Sequence, residues 1–554
     1  MTDIEIPLEK DRKGWYRFFE ILPGVLSWSM LCLPFVLSLI DVRLAALFVL
    51  IYLLINFTRG VAGGIRSVQG YRTMHAHQKF PWRSMVAELE AGQLQNAHVK
   101  RPKWHRAVLE RTQEQPLFIA PSEVVHAIIV ATYKEAKETL IPTIESILAS
   151  DYDMKRVLFI LAYEERGGEQ TEIRANELVA EYQDDFMDAF AVKHPQNIPD
   201  EIIGKGGNVT YAGRALQSYL EEHQIDPLRV MVTTLDADNR PDKNYLSALT
   251  YVYVVSPDPL HASFQPVSLY TNNIWDAPAP MRVLATGNSI FHLVGSLRQH
   301  SLRNFSSHAQ PMAALIETDF WSVRTIVEDG HQFWRSYFRF DGNYRVYPLH
   351  LPICQDAVLA DGYIKTLKAQ FIQLRRWTYG ASDIAYVVNQ GFFKKNKVPR
   401  LDLYAKVWRL LEGHVTWAVG PLLVLGGGFI PALFNPNSYT ANQLPLIVSR
   451  VQTVALFVAL ITVFLALKTL PPKPARYRHH RSLFMVIQWA YLPITTIVYN
   501  SFAALYSQTR LLLGWYIHFD VTQKTVIKAS GERVSSDTDQ EKGTRRRLRH
   551  RRQR

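Results

Sequence analysis

Asp236 and Asp238, in "TTLDADNRPD", are two carboxylates one residue apart at the end of an apolar run. Hard oxygen donors at that spacing suit Mg2+ or Mn2+ bridging a diphosphate; a turn closed by Asx hydrogen bonds is the ordinary alternative for the same residues. About 90 residues further on, Glu328 and Asp329 stand side by side in "VEDGHQFWRSYFRFDGNYRVY". A carboxylate facing a metal and a diphosphate is a natural general base for a hydroxyl, although an acidic pair also complements the dipole at a helix start. Asp319, in "ETDFW", competes for that role on chemistry alone. The third group lies in "FIQLRRWTYG", where Gln373, Arg376 and Trp377 fall at i, i+3 and i+4 and share one face of a helix. A planar cation beside a flat indole suits a phosphate and a sugar ring. An interfacial helix uses the same pair differently, as a snorkelling cation and an anchor.

Positioning these groups falls to a run of alternating elements. "VVHAIIVATY" (124–133), "RVLFILAY" (156–163) and "RVMVTTLDAD" (229–238) are apolar and β-branched, as buried strands are. Between them "ETLIPTIESILAS" (138–150) and "NVTYAGRALQSYLEEH" (208–223) have helical spacing. Strand, helix and strand in alternation predict an α/β fold with a mostly parallel sheet and right-handed crossovers. Such sheets bind ligands at the carboxyl ends of their strands, which is where Asp236 falls.

The rest of the chain reads as membrane-associated. Of 554 residues 12 % are aromatic and only 20 % charged, yet a mean hydropathy of −0.07 requires a sizeable soluble part. Residues 21–40 carry no charge and are long enough to cross a bilayer, and a second apolar run covers 44–57. Residues 1–67 are therefore expected to hold a transmembrane hairpin. Lys10, Arg12 and Lys13 before it, and Arg59 and Arg66 after it, place both flanks in the cytoplasm. Residues 85–400 lack a long apolar run and form the expected cytosolic domain. Residues 405–516 carry three more apolar stretches, near 415–434, 451–467 and 484–505. Pro493 leaves the last as a crossing, a short hairpin or a re-entrant segment. A basic tail, 517–554, follows and is expected in the cytosol. Its last 14 residues hold eight Lys and Arg, much of a net charge of +12. Anionic lipid or a partner is the expected contact of that tail rather than nucleic acid, since no nucleic-acid-binding fold accompanies it. Cys32 and Cys354 have no metal-type spacing and make no disulfide framework.

Order and separation link the weak motifs. An Asp-x-Asp at a strand end, a Glu-Asp pair and a Gln-x-x-Arg-Trp, all ahead of apolar helices, resemble the membrane-embedded inverting glycosyltransferases of family 2. Cellulose, chitin and hyaluronan synthases and ceramide glucosyltransferases belong to that group. The resemblance covers about residues 120 to 524 and includes "HFDVTQK" (518–524). It implies a GT-A catalytic domain, a nucleotide-sugar donor expected to be a UDP-sugar, a saccharide or lipid-linked acceptor, and residence in the cell membrane with the catalytic domain in the cytoplasm. By the same resemblance Asp236 and Asp238 hold Mg2+ or Mn2+ and the diphosphate, Arg376 holds the diphosphate, and Asp329 is the base beside Glu328. Val327 stands where the family usually has threonine. Gln373 and Trp377 then face the acceptor, with Asp319 a neighbour of that site. Glu135 in "VATYKE" and Lys205 in "GKGGN" match donor-contacting positions. The family's uracil-holding aspartate is replaced by "AYEERGG" (162–168), so Glu164 or Glu165 takes its place, a departure from the usual UDP-sugar site. A polymer-forming enzyme, a single-addition glycolipid transferase and a non-catalytic scaffold all share this pattern. A transporter does not, because the apolar segments lack intramembrane charges beyond Glu412 and His414 near one end.

Overall fold

The computed structural model describes residues 4–95, 98–478, 480–519, 525–527 and 533–535. Most of "HFDVTQK" and of the basic tail lies outside them.

Eight strands form one mixed sheet in the order β3-β2-β1-β4-β7-β6-β8-β5. β1 (Val125–Thr132), β2 (Val157–Glu164) and β4 (Val230–Asp236) are the apolar runs read from the sequence, and β3 is Asp188–His194. These four are parallel, with Ala131 of β1 opposite Ala162 of β2 and Asp236 of β4. Three carboxyl ends therefore stop at one level. β7 (His308–Pro311) runs antiparallel to β4, with His308 opposite Thr234, and so delivers Ser306 beside Asp236. β6 (Ala262–Tyr270) and β8 (Arg345–Gln355) are parallel and bring Tyr270 and Gln355 to the same edge. β5 (Arg240–Pro241) closes that side against β8. The expected α/β fold is present, with a mixed sheet in which parallel pairings predominate.

Helices cover both faces because both faces are apolar. Leu140, Ile144 and Ile147 of helix Lys137–Leu148 are fully buried on one face with Leu246 and Leu249 of helix Tyr245–Val255. Val209, Leu216 and Leu220 of helix Lys205–Glu222 fill the other. Each such side chain contributes roughly 1.5–3 kcal/mol by leaving water.

Five helical segments are long and apolar enough to cross a membrane: Gly14–Ile40, Val42–His77, Arg400–Phe434, Tyr439–Lys468 and Arg481–Leu513. The first and last pack closely, since a Cβ on Gly24 would meet the Gln508 carbonyl oxygen at 2.7 Å. The last differs from the others. Around Pro493, which has no N–H to give, it passes through 3-10, α and π turns without reversing. Both of its ends meet the sheet domain. Near its start Arg481 donates to the Trp275 carbonyl at 2.7 Å and Arg476 pairs with Asp276 at 2.6 Å. Beyond its end Phe519 lies under Arg376.

Candidate active site

Asp236 is the fixed point of the site. Its Oδ1 accepts from Lys205 Nζ at 2.6 Å and its Oδ2 from Ser306 Oγ at 2.6 Å. Lys205 opens helix Lys205–Glu222 and also donates to the Ser306 carbonyl at 3.1 Å. The glycine after it is obligatory: a Cβ on Gly206 would sit 2.3 Å from the Ser322 carbonyl oxygen and 3.2 Å from Glu328 Cβ. That close approach sets the cation against the acidic pair. Burial opposes the Lys205 charge, but Asp236, Glu328 and Asp329 outweigh it and hold its pKa above the ordinary value. Asp238 is buried and accepts from the Asp356 N–H at 3.1 Å, which ties β4 to the segment after β8.

Glu328 and Asp329 form the first turn of helix Glu328–Arg339, where Asp329 Oδ1 accepts from the Gly330 N–H at 2.7 Å. Burial raises both carboxyls above their ordinary range. Asp329 adds to the rise at Glu328, and Asp236 adds to it at Asp329, while Lys205 and Arg376 pull both down. An elevated carboxyl beside fixed cations is suited to exchanging a proton with a hydroxyl in the cavity.

Helix Tyr363–Thr378 turns Gln373, Arg376 and Trp377 to the same cavity, as their spacing requires. The Arg376 guanidinium stacks 4.6 Å from the Phe519 ring centre. Trp377 is half-buried, 6.1 Å from Tyr270, and Gln373 accepts from Gln370 at 3.1 Å. Thr378 bonds Ser507 at 2.9 Å, so this helix is anchored on the last apolar one.

At the far end the cavity reaches the turns after β1 and β2. Glu135 closes the first turn, accepting from Thr132 Oγ1 at 2.9 Å and the Tyr133 N–H at 2.7 Å. Glu164 pairs with Arg166 at 2.9 Å and with His194 at 3.1 Å, and Glu201 holds the other His194 nitrogen at 2.8 Å. Burial opposes that imidazolium, yet the two carboxylates push His194 up to about 9. Arg166 lies 5.5 Å from the Tyr133 ring centre.

Glu135, Glu164, Lys205, Asp236, Asp238, Glu328, Asp329, Gln373, Arg376 and Trp377 all line one cavity of about 860 Å³. Two expected residues do not. Glu165 points away and accepts from the Gln196 N–H at 2.9 Å. Asp319 sits on the surface, its side chain 74 % exposed and paired with Arg214 at 3.0 Å. The expectation of Glu165 at the donor and of Asp319 at the acceptor gives way to those positions. Ser306, Arg166, Tyr270 and Arg303 line the cavity and were not found from the sequence. A strand-end serine and a lone arginine have no local signature; only the antiparallel register of β7 places Ser306.

The donor set near β4 fits a hard divalent cation. Asp236 and Asp238 offer carboxylate oxygen on the cavity wall, and among the described residues no group of three or more His, Cys, Asp or Glu could hold a metal alone. One or two carboxylates completed by substrate phosphates is how Mg2+ is usually held.

No family model matches this chain, and no curated protein matches it. Among solved structures, it is similar to the mannosyltransferase PcManGT from Pyrobaculum calidifontis in complex with GDP-Man and Mn2+. Identity is 14 %, coverage 79 % of this chain and 98 % of that one, and the TM-score 0.36. It is also similar to S. aureus TarS 1-349 in complex with UDP-GlcNAc, at 11 % identity, 74 % and 96 % coverage and a TM-score of 0.35. Likenesses this distant carry no assignment of activity, which must rest on the site itself.

Proposed function

We propose that this chain is a membrane-bound, inverting glycosyltransferase that moves a sugar from a nucleotide-sugar donor to an acceptor hydroxyl. The observation that carries it is the meeting, in one cavity, of Asp236 with Lys205, the raised Glu328–Asp329 pair and Arg376. The base and ribose of the donor lie at the turns of Glu135, Glu164 and Arg166, and its diphosphate between Lys205 and Arg376. Trp377 is the floor for the acceptor ring, with Gln373 beside it. Asp329 takes the proton of the attacking hydroxyl, while Glu328 shares the charge of the pair. Mg2+ or Mn2+ held by Asp236 and Asp238 would neutralise charge on the leaving diphosphate. The Glu164 carboxylate is already matched by Arg166 and His194, so the donor base need not be uracil.

The same reading sets the membrane arrangement. Helices Gly14–Ile40, Val42–His77, Arg400–Phe434 and Tyr439–Lys468 cross the cell membrane. Arg481–Leu513 lies along the cytoplasmic face, since both its ends return to the sheet domain. The hairpin at 1–67, the catalytic domain at 85–400, the helices at 405–516 and the tail at 517–554 then agree with cytoplasmic catalysis.

The test is label transfer from a panel of radiolabelled nucleotide sugars by the purified protein in native-lipid vesicles. Transfer from at least one donor, lost in Asp329→Asn, is expected. A well-inserted protein that turns over none of them is a scaffold.

A further inference from the structure

The cavity does not end at Trp377. Beyond the acidic pair its lining also includes Arg303, Arg409 and His414, with Asp383 among them, and the apolar Val283, Phe291 and Leu492. The lining thus offers both guanidinium groups and apolar side chains. Arg303 is drawn inward, its guanidinium 4.6 Å from the Trp334 ring centre. Arg298 and Arg66 stand close to Arg409. Burial, then Arg66, Arg409 and Arg59, hold Arg298 below its ordinary pKa. Burial also pushes Arg303 down to about 10, with Asp383 opposing the fall and Arg409 adding to it.

Asp383 favours the charge of Arg303 and Glu412 that of Arg298, but neither carboxylate bonds the guanidinium directly. Among the described residues the guanidiniums of Arg66, Arg298, Arg303 and Arg409 have no hydrogen bond or ion pair. Nearby carboxylates already have partners: Glu412 has Arg59, Asp402 has Lys406 at 2.5 Å, and Asp383 has His331 at 2.7 Å. The cluster also has a defined depth. The apolar run of Val42–His77 stops before Arg59, and that of Arg400–Gly426 begins after Glu412. The Arg59–Glu412 pair puts both boundaries at one level, where hydrocarbon gives way to headgroups. Snorkelling toward bulk lipid accounts for Arg59, Arg66 and Arg409. It does not account for Arg303, held inside the cavity against Trp334.

We infer that the acceptor is a membrane lipid with a phosphate headgroup that carries a free hydroxyl. Its phosphate sits at Arg303 and Arg409, and its acyl chain lies along Val283, Phe291 and Leu492. The headgroup hydroxyl is then presented to Asp329. Its O–H bond breaks with the proton passing to the Asp329 carboxylate. The oxygen bonds the anomeric carbon, and the bond from that carbon to the diphosphate breaks, the electron pair leaving on the nucleoside diphosphate. This assignment of the acceptor rests on the transferase reading above.

Lipid binding and sugar transfer test it separately. Full-length protein in neutral detergent is titrated with short-chain phosphatidylglycerol, short-chain phosphatidylcholine and inorganic phosphate. Two arginines should favour phosphatidylglycerol over phosphatidylcholine by roughly thirtyfold, at the usual attraction per basic residue for anionic lipid. The preference should vanish in Arg303→Gln/Arg409→Gln and survive in Arg303→Lys/Arg409→Lys, and equal inorganic phosphate should not displace the lipid. Equal affinity for the two lipids, a preference that survives both glutamines, or displacement by free phosphate overturns the assignment. In vesicles containing phosphatidylglycerol the transferred label should enter the lipid phase; label confined to water-soluble saccharide overturns it as well. Failure of every nucleotide sugar to turn over counts against the transferase reading alone, because the binding arm needs no donor.

Discussion

Asp329→Asn separates the proposed proton-accepting role of this carboxylate from its place in the structure. The asparagine keeps an Oδ1 for the Gly330 N–H, now accepted at 2.7 Å, so the helix start survives. What goes is the ability to take a proton, a loss of two to four decades in turnover, or at least about 2.7 kcal/mol of barrier. Lys205 and Arg376 are untouched, so donor binding should hold. Stability should move the other way. Burial raises the folded-state pKa of this carboxyl above its unfolded value. Its contribution is therefore fully present below the unfolded pKa and lost as pH rises through the folded one. Above the folded-state pKa the buried, ionised group is a burden, and there its neutral replacement should raise the melting temperature. The assay is single-turnover transfer with donor affinity and thermal melts on the same preparations, with Asp319→Asn as comparison. Asp319 is a surface residue paired with Arg214, a kind of pair worth about 0–1 kcal/mol, and its loss should leave the rate near normal. A crippled Asp319→Asn beside a mild Asp329→Asn refutes the assignment.

Lys205 pulls the pKa of both acidic residues down, so Lys205→Met should move the acid limb of the pH–rate profile to higher pH; an unmoved limb separates Lys205 from the pair. EDTA should abolish transfer and Mg2+ or Mn2+ restore it, whereas full activity in chelator removes the metal role of Asp236 and Asp238. Arg376→Lys should slow transfer, since an ammonium cannot copy a bidentate guanidinium on a diphosphate. Trp377→Phe should keep part of the activity and Trp377→Ala lose most of it, the stacking being worth about 1 kcal/mol and visible in acceptor KM. Near-normal rates from Arg376→Lys and Trp377→Tyr, in equal amounts of inserted protein, make the helix a membrane anchor only.

The parts of the site that follow from local pattern were legible. β1, β2 and β4 announce themselves because buried parallel strands are apolar on both faces, and Gln373, Arg376 and Trp377 share a face by helical spacing alone. Residues whose placement depends on distant pairing were not. Ser306 reaches Asp236 across 70 residues through the antiparallel register of β7, and nothing in "NFSSHAQP" encodes that register. Glu164 and Glu165 look equivalent as letters. The strand ends between them, and the 3-10 turn at Glu165–Gly167 turns the second away. Asp319 looked chemically apt, but its left-handed backbone (φ +50) closes a surface turn. Arg303 carried no motif because its meaning comes from Arg409, more than a hundred residues away.

The stacking of Phe519 on Arg376 has a consequence for biosynthesis. The two residues are separated by three long apolar helices. A nascent chain that has already folded its sheet still lacks the ring beneath Arg376, the arginine proposed to hold the diphosphate. That ring arrives only after the final helix has been made and laid against the rest. On the proposed function, catalytic competence waits for completed assembly, and a chain stalled midway through insertion has no finished donor site.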